Sequence, residues 1–352
     1  MIFQSWFSRL ALTVSLVLAA LPLARAQTAE VAQFTDLRGW AEDDHIRALG
    51  VFRAGCDRIR SNHYSHADDW QLPCAASNGV AEGAVAARLF FESWFQPVLL
   101  KDNAAPQFTA YFEPELQGSR QRTERFRYPL YRAPAEVANG RRWFSRAEIE
   151  DQGLLSGRGL EIVWLEDPVD AFYVHVQGST RVQLTDGSVI RLAYGGRNGH
   201  PFRSAARELI RRGLLSGNNA TPDGLKRWVQ ANPERGIAAL QHNPSYIFFR
   251  EIQLDEALGP IGAFQIPLTP MRSIAVDPRF MPLGAPVWLE MEAGDQSLFR
   301  LMVAQDTGAE IRGAQRADVY FGTGSEIGLI AGRIRYGGRA FILLPRASAA
   351  RL

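Results

Sequence analysis

Apolar residues recur at three- and four-residue steps in two early segments, 43–60 and 81–95. This spacing places them on one face of a helix. We therefore predict two helices that bury these faces in a core. The residues predicted to point inward are Ile46, Leu49, Phe52, Cys56 and Ile59 in the first helix and Val85, Leu89 and Trp94 in the second.

From Phe108 onward the pattern changes to short runs of alternating or continuous apolar residues, which are typical of strands. Asp186-Gly187 is a hairpin signal, Thr221-Pro222 is a helix start, and residues 346–352 are predicted to fray. A further helix is predicted at 204–212, and strands are predicted at 172–177, 180–184, 189–194, 286–290, 300–304 and 339–344. The pattern predicts a mainly β fold, either a barrel or a sandwich. It does not decide between an inserted domain and sequential domains.

The first 26 residues have the pattern of a signal peptide. Arg9 precedes an apolar run over 10–23, and Ala24-Arg25-Ala26 fits a cleavage site, so we expect the mature chain to begin at Gln27. The alternative, an uncleaved membrane anchor, is disfavoured because the apolar run is short for a bilayer. No cysteine near this site offers a lipid attachment point. We expect a periplasmic protein with no stable membrane anchor, located peripherally at the outer membrane or cell wall if it associates with either.

The formal net charge is +2, so the composition does not require a nucleic-acid partner, and none is expected. The two cysteines, Cys56 and Cys74, lie in the exported part of the chain. An oxidising compartment favours a disulfide between them. The alternative is a thiol nucleophile that uses His63 or His66, although no known thiol-enzyme signature surrounds either cysteine.

Several kinds of chemistry lack their sequence signatures. The chain has no HxxxH or CxxC pair, so we expect no metal site. The glycine-rich segments carry no phosphate-binding lysine, and there is no G-x-S-x-G motif, so we expect neither a cofactor nor a serine nucleophile.

Carboxylates remain as candidates for chemistry. Asp306 and Asp318 each adjoin an apolar strand, and Asp277 precedes Pro278. Aspartate is depleted inside strands, so Asp318 directly before Val-Tyr-Phe is unusual. From the spacing alone, all three could also be turn or capping residues.

At this cluster the sequence resembles the membrane-bound lytic transglycosylase A family of peptidoglycan enzymes, and its terminal part resembles the three-aspartate domain of that family. The resemblance extends in order over nearly the whole mature chain. The matching segments are TAYFEP (109–114), YPLYR (128–132), VQGS (176–179), YGGRNGHP (194–201), NPSY (243–246), SIAVDP (273–278), PLGAPV (282–287), AQDTG (304–308) and ADVYFG (317–322).

The resemblance implies a double-psi β-barrel domain with a second β-rich domain inserted into it, a groove between the two, and N-terminal helices. Signal peptide 1–26 would be followed by barrel segments 27–112 and 244–352. The inserted domain would occupy 113–243, with crossings near Glu113 and Asn243.

The resemblance also implies a reaction. Such enzymes cleave the β-1,4 bond between N-acetylmuramic acid and N-acetylglucosamine, and the muramic 6-hydroxyl closes on its own anomeric carbon to give a 1,6-anhydro end. One aspartate acts as acid and then base, and this role transfers to Asp318, with Asp306 and Asp277 lining the site. A proton donor at neutral pH needs a raised pKa, which burial against Tyr320 or Phe321, or repulsion from Asp306, would provide for Asp318.

Substrate-binding candidates from the matching segments combine aromatic faces with amide and hydroxyl groups, which suit sugars. They are Thr109, Tyr111, Glu113, Gln177, Gly178, Ser179, Asn198 and Tyr246, together with Asp277. Each also has a structural alternative: the polar groups would cap turns at Gly178, Gly195 and Gly199, and Glu113 would brace the crossing. The implied partners are peptidoglycan glycan strands, with other cell-wall enzymes as further candidates.

The chain departs from the family at two positions, because Ala110 and Ala309 stand where glycine is usual. Two other functions also remain open. A hydrolase would use Asp306 and Asp318 as a carboxylate pair. A barrel that only binds cell-wall glycan would need neither. The sequence does not decide between cleavage inside strands and cleavage from their ends.

Overall fold

The computed structural model describes residues 28–137, 141–293 and 297–352, which form two sheets with helices packed around them. The predicted signal peptide, residues 1–26, lies outside the described residues. In the part of the chain that is described, none of the helices combines the length and hydropathy that crossing a membrane requires.

The strands pair into two separate sheets. In chain order they are β1 Thr28–Val31, β2 Phe95–Lys101, β3 Gln107–Glu113, β4 Glu115–Ser119, β5 Tyr128–Tyr131, β6 Glu161–Leu165, β7 Thr180–Leu184, β8 Val189–Arg197, β9 Ile247–Ile252, β10 Ser273–Val276, β11 Pro286–Glu292, β12 Leu298–Asp306, β13 Arg316–Thr323 and β14 Arg335–Pro345. The helices are α1 His45–Gly55, α2 Gln71–Ser77, α3 Ala84–Trp94, α4 Arg146–Asp151, α5 Pro168–Gln177, α6 Ala205–Arg211, α7 Pro222–Ala231, α8 Pro233–Gln241, α9 Ser325–Ala331 and α10 Arg346–Ala349.

The first sheet closes on itself. Its strand order is β1-β2-β14-β11-β12-β10-β13-β3, and β14 also pairs with β3 through Arg335–Thr109 and Tyr336–Phe108. Six strands therefore form a closed ring, with β2 and β1 continuing outward from β14. Two neighbouring pairs, β10–β12 and β13–β3, are parallel, and the other pairs are antiparallel. The predicted barrel is confirmed.

The N-terminal helices pack on this barrel through an aromatic cluster. The rings of Phe52, Phe90, Phe91 and Phe95 have centroids between 5.1 and 6.2 Å apart. Phe95 is the first residue of β2, so the cluster joins α1 and α3 to the sheet. Aromatic side chains bury large apolar areas, which makes this cluster a major part of the core.

Three residues predicted to point inward are exposed. Ile46, Val85 and Leu89 are 52%, 62% and 48% accessible. Helix α3 instead buries Phe90 and Phe91, because two phenyl rings remove more apolar area from water than valine and leucine. The helices are confirmed, but the rotation predicted for α3 was wrong.

The second sheet has the order β5-β6-β4-β7-β8-β9. Only Pro114 separates the end of β3 in the barrel from the start of β4, so the chain passes into the second sheet directly after Glu113. Strand β9 still pairs with β8, and the chain returns to the barrel only after Ile252 rather than near Asn243. The return is later because Phe248 and Phe249 are buried within the second body.

The segment predicted as a strand at 172–177 lies in helix α5. Asp167 caps its first turn by accepting hydrogen bonds from Val169 N and Asp170 N, and Pro168 occupies the first turn. Gly178 ends the helix with φ of 81°, a left-handed conformation that favours glycine. The short apolar run is compatible with the period of a helix and with that of a strand, and the capping residues at its two ends stabilise the helix.

Other local signals gave correct predictions. Gly187 turns the β7–β8 hairpin with φ of 87°, and Thr221 caps α7 by accepting a hydrogen bond from Gly224 N. The predicted frayed end was wrong, because α10 begins at Arg346 and Ser348 is buried. Ser348 and Arg351 both donate hydrogen bonds to Asp69, which holds the chain end against the N-terminal region.

Cys56 and Cys74 form a disulfide with Cα atoms 5.6 Å apart and a sequence separation of 18. The predicted disulfide is confirmed, and the alternative thiol nucleophile was wrong, because both sulfurs are bonded. The bond joins the segment that follows α1 to helix α2.

We expect the double substitution Cys56→Ala/Cys74→Ala to lower the free energy of unfolding by about 3 kcal/mol, because it releases a loop of this length in the unfolded chain. Urea denaturation of the oxidised wild type and the variant measures the difference. Wild type treated with reductant is the matched control and should unfold like the variant. An unchanged unfolding midpoint would contradict the stabilising role.

Candidate active site

Five residues on five neighbouring barrel strands lie side by side. Arg335 on β14 is opposite Thr109 on β3, and Thr109 is opposite Asp318 on β13. Asp318 is opposite Ala275 on β10, and Ala275 is opposite Asp306 on β12. Residues paired directly across a sheet point to the same face. We call these five residues the register row; it places the two candidate acids on one face.

A β-bulge sets one end of the register row. Ile274 pairs with Ala304, but the next residue, Ala275, pairs with Asp306, so Gln305 is skipped. The extra residue re-aims the strand, as bulges do beside functional sites. Ala275 then separates the two acids, with Asp306 and Asp318 on strands whose axes lie roughly 10 Å apart. A methyl group at this position leaves space between the carboxylates.

The Asp306 carboxylate accepts three hydrogen bonds. Oδ1 receives Ala263 N and Thr307 N, both at 2.9 Å, and Oδ2 receives the Tyr111 hydroxyl at 2.8 Å. Burial raises the pKa of Asp306, and these three donors oppose the rise. Burial and the Asp306 charge hold the pKa of Tyr111 well above its ordinary value, so Tyr111 remains a donor.

The Asp318 carboxylate has weaker support in its ionised form. Oδ1 accepts one hydrogen bond, from Thr109 Oγ1 at 2.5 Å. Burial raises the pKa of Asp318 and the charge of Asp306 raises it further, while the Thr109 hydroxyl and Arg316 oppose the shift. Asp306 has three donors and Asp318 has one, so the ionised form is better supported at Asp306. The two carboxyl groups therefore differ in their surroundings although both are buried.

Asp277 has a separate position and role. Its carboxylate accepts bonds from Gly313 N at 2.9 Å and from the Arg279 guanidinium at 2.5 Å, and its side chain is fully buried. Burial would raise the pKa of Asp277, but these donors outweigh it and lower the pKa. Asp277 fixes the turn that leads into β13 and has no exposed carboxylate surface to offer a ligand.

Glu113 braces the crossing between the two sheets. Its buried carboxylate pairs with Arg181 at 2.9 Å and Arg191 at 3.1 Å, and it accepts the Thr323 hydroxyl at 2.9 Å. These partners lie on β7, β8 and β13. The Thr323 hydroxyl also contacts the Tyr320 hydroxyl at 3.1 Å. Of the two roles considered for Glu113, its burial and pairing support the brace.

Gln177, Gly178 and Ser179 lie where α5 meets the barrel. Gln177 Oε1 accepts a hydrogen bond from Phe112 N at 3.4 Å, next to Tyr111 on β3. Gly178 ends α5, and Ser179 is buried. Gln177 and Gly178 are partly exposed, so a ligand could reach these two members of the group.

Asn198 and Tyr246 belong to the inserted body and not to the register row. Asn198 Nδ2 donates to Phe144 O and Pro244 O, each at 2.8 Å, and Oδ1 accepts Tyr246 N at 2.9 Å. Tyr246 is buried, and its ring lies 4.4 Å from that of His175. The satisfied Asn198 side chain joins the loops at Phe144 and Pro244 to Tyr246, and the Tyr246 ring lines a separate cavity of ≈ 340 Å³.

Sequence reasoning missed Ala275, Arg316 and Arg335 as site residues. Arg316 could have been found, because residues two apart on a strand share a face and Arg316 stands two before Asp318. Arg335 and Ala275 reach the site only through strand pairing, which the sequence does not display.

Two family models match the chain. The MltA specific insert domain matches residues 107–250, and the 3D domain matches residues 272–344. The first match covers all six strands of the second sheet to within two residues. The second covers β10 to β14 and therefore both candidate acids.

Individual proteins agree with these models. The Vibrio cholerae protein named membrane-bound lytic murein transglycosylase A is 35% identical over 247 residues, covering 67% of this chain and 64% of that protein. The chain thus spans slightly less than two thirds of that relative's length.

Solved structures extend the likeness over most of the chain. A membrane-bound lytic murein transglycosylase from Agrobacterium tumefaciens is 31% identical with a TM-score of 0.84, covering 92% of this chain and 99% of that one. The structure of E. coli MltA with bound chitohexaose is 26% identical with a TM-score of 0.68, covering 92% and 93%. The chain belongs to the membrane-bound lytic murein transglycosylase A family.

We expect Thr109→Val to raise the pKa of Asp318 further, because valine keeps the shape of threonine but removes the hydroxyl that stabilises the carboxylate. Titration of the Asp318 carboxyl carbon by NMR measures the shift. Thr109→Ser keeps the hydroxyl and should titrate like wild type. A pKa of Asp318 that falls or stays constant in Thr109→Val would refute the assigned bond.

We expect Asp318→Asn to raise the melting temperature at neutral pH. The folded-state pKa of Asp318 exceeds the unfolded one, so ionisation costs stability as pH rises above the ordinary aspartate range. The gain in melting temperature should vanish at acidic pH, below the ordinary aspartate range. Thermal scans across pH measure it. Asp277→Asn is the opposite control: the pKa of Asp277 is lowered, so that variant should lose stability at neutral pH. Equal effects of both variants would contradict the assignment.

Proposed function

We propose that this chain is a lytic transglycosylase that cleaves the β-1,4 bond between N-acetylmuramic acid and N-acetylglucosamine in peptidoglycan. The observation that carries the proposal is the pair of unequal acids in the register row. The pKa of Asp318 is raised and its carboxylate has one donor, while the Asp306 carboxylate has three donors, and Ala275 stands between the two acids in the row. Membership of the family, and the bound chitohexaose of the E. coli relative, support a glycan as the ligand.

In the proposed reaction, protonated Asp318 donates its proton to the glycosidic oxygen as the bond to the muramic anomeric carbon breaks. Positive charge develops at that carbon, and the Asp306 carboxylate stabilises it electrostatically. Asp318 is then ionised, with the Thr109 hydroxyl as its donor. It removes the proton from the muramic 6-hydroxyl as that oxygen bonds to the anomeric carbon. Asp318 thus regains its proton, and no water is consumed.

One acid suffices because the nucleophile is part of the substrate. An intramolecular hydroxyl held close to the anomeric carbon has a high effective molarity, so no second carboxylate is needed to activate water. Asp306, already bonded by Tyr111 and two backbone amides, is positioned to supply charge rather than to move protons.

We propose that the protein acts in the periplasm on glycan strands. The signal-peptide pattern of residues 1–26 and the Cys56–Cys74 disulfide support this location, because disulfides persist in oxidising compartments. The relatives' names describe them as membrane-bound. For this chain, peripheral association with the outer membrane or cell wall, and partnership with other wall enzymes, remain proposals.

We expect wild-type protein to release muropeptides that end in 1,6-anhydro-muramic acid, each one water lighter than its reducing counterpart. Asp318→Asn should lose the product by about a thousandfold, the scale of a lost general acid. Asp306→Asn should retain more activity, because it loses charge stabilisation only. Mass spectrometry of digested purified peptidoglycan is the measurement.

Asp223→Asn is the control for these variants, because it changes an exposed carboxylate on α7. Reducing ends from wild type would establish a two-carboxylate hydrolase instead. Binding without cleavage by wild type and by Asp318→Asn alike would establish a binding module. Either result would overturn the lytic reaction.

A further inference from the structure

The charges around Asp318 are arranged unequally. Asp306 supplies a negative charge on one side of the register row. At the opposite end of the row, Arg335 lies next to Thr109, and Arg316 stands two residues before Asp318 along β13. A ligand held against Asp318 therefore meets a carboxylate towards β12, one guanidinium group towards β14 and another along β13.

The guanidinium of Arg316 is available to a ligand's charge. Its Nη1 donates to Ala317 O at 2.5 Å and to Gln107 O at 3.4 Å, both neutral backbone groups. Burial lowers the pKa of Arg316, while the charge of Asp318 acts in the opposite direction. Among the described residues no carboxylate forms a salt bridge with Arg316, and a half-buried arginine in that position gains from an anionic ligand.

Arginines from both bodies of the protein converge here. Arg316 interacts electrostatically with Arg335, with Arg207 on α6 and with Glu310. Arg207 Nη1 lies 3.8 Å from Glu310 Oε2, and both side chains are largely exposed. Arg316 thus lies within electrostatic range of two further arginines and of two carboxylates, those of Asp318 and Glu310, and Glu310 is already paired with Arg207.

We propose that Arg316 and Arg335 bind the carboxylate carried by the lactyl arm of muramic acid, and that they set the register in which the polymer is cut. The proposal rests on the proposed function. Muramic acid differs from N-acetylglucosamine by this arm, whose carboxyl group is free in peptide-free strands and bears the acidic stem peptide otherwise. Guanidinium groups match carboxylates in charge and in fork geometry.

The choice of the glycosidic bond that is cut follows from the alternation of the two sugars along the glycan. Every second sugar of the glycan carries an acidic arm, so a strand can lie over Asp318 with the arm on the arginine side or on the Asp306 side. Attraction to Arg316 and Arg335 favours the first placement, and repulsion by Asp306 opposes the second. The same acid then meets the bond that follows muramic acid and not the bond that precedes it.

The test measures binding rather than cleavage, in an Asp318→Asn background that leaves the polymer intact. The probes are soluble peptide-bearing strands, peptide-free strands, peptide-free strands whose carboxyl groups are blocked as methylamides, and neutral chitohexaose. The variants Arg316→Gln and Arg335→Gln are added singly and titrated by calorimetry at low and high salt. Arg235→Gln, an exposed arginine on α8, is the matched control.

We expect Arg335→Gln to weaken binding of the carboxylated strands about fivefold, as for one exposed charge contact. Arg316→Gln should cost about tenfold, because its contact is partly buried. High salt should reduce both losses. Affinity for blocked strands and for chitohexaose should not change. A loss confined to peptide-free strands assigns the lactyl carboxylate, and one confined to peptide-bearing strands assigns the stem carboxylates.

Equal losses on charged and neutral probes would overturn the proposal, since the arginines would then only shape the groove. No loss on any probe would overturn it as well. If the Arg316→Gln variant does not fold, the Arg335→Gln variant still tests the proposal, because Arg335 is exposed and its substitution should not disturb folding. If wild type makes no anhydro product while charge selectivity persists, the proposed reaction fails and carboxylate recognition stands. If wild type makes the anhydro product but binding shows no charge selectivity, the proposed reaction stands and carboxylate recognition by the arginines fails.

Discussion

The pairing of β14 with β3 closes the barrel, and the site depends on that closure. Only two residue pairs make the contact, Arg335–Thr109 and Tyr336–Phe108. Without it, β3 would be the free edge of an open sheet, held by β13 alone. Closure fixes β3 on both sides, so that Thr109 faces Asp318 on one neighbour and Arg335 on the other. A strand held on both sides keeps its register, and register decides which side chains share a face.

Within the closed barrel, Asp306 and Asp318 differ in the number of hydrogen bonds that their carboxylates accept. Both carboxyl groups are desolvated, which raises the pKa of each. Asp306 receives three donors and Asp318 receives one, so the ionised form is better supported at Asp306, and the charge of Asp306 contributes to the raised pKa of Asp318. Two residues of the same type thus differ through their neighbours rather than through identity. The β-bulge at Ala275 aligns the two acids in one row.

The second body is tied to this arrangement through Glu113. Its carboxylate joins arginines from β7 and β8 to Thr323 on β13, the strand that carries Asp318. Removing one partner from such a buried group leaves an uncompensated charge, which is strongly destabilising. The inserted sheet is therefore fixed relative to the acid, and Arg207 of that body lies close to Glu310 near the same site. Glu113 thus ties the second sheet to the strand that carries Asp318.

The sequence by itself determined much of the local structure. Capping and turn residues such as Thr221 and Asp186 act on their own backbone, so their effects were predictable from spacing alone. The cysteines indicated the disulfide, and the ordered motifs indicated the family and the barrel fold, while the role of Asp318 stays a prediction. The strand predicted at 172–177 was wrong because a short apolar run fits both periods, and the cap at Asp167 outweighed it.

The tertiary structure alone decided what depends on pairing between distant strands. Thr109 and Asp318 are 209 residues apart in sequence, and Tyr111 and Asp306 are 195 apart, yet each pair shares a hydrogen bond. No local preference encodes such contacts, since they follow from barrel closure and from the bulge. For the same reason Glu113, Asn198 and Asp277 look alike in sequence as polar residues beside turns, and only their buried partners reveal that they brace the fold.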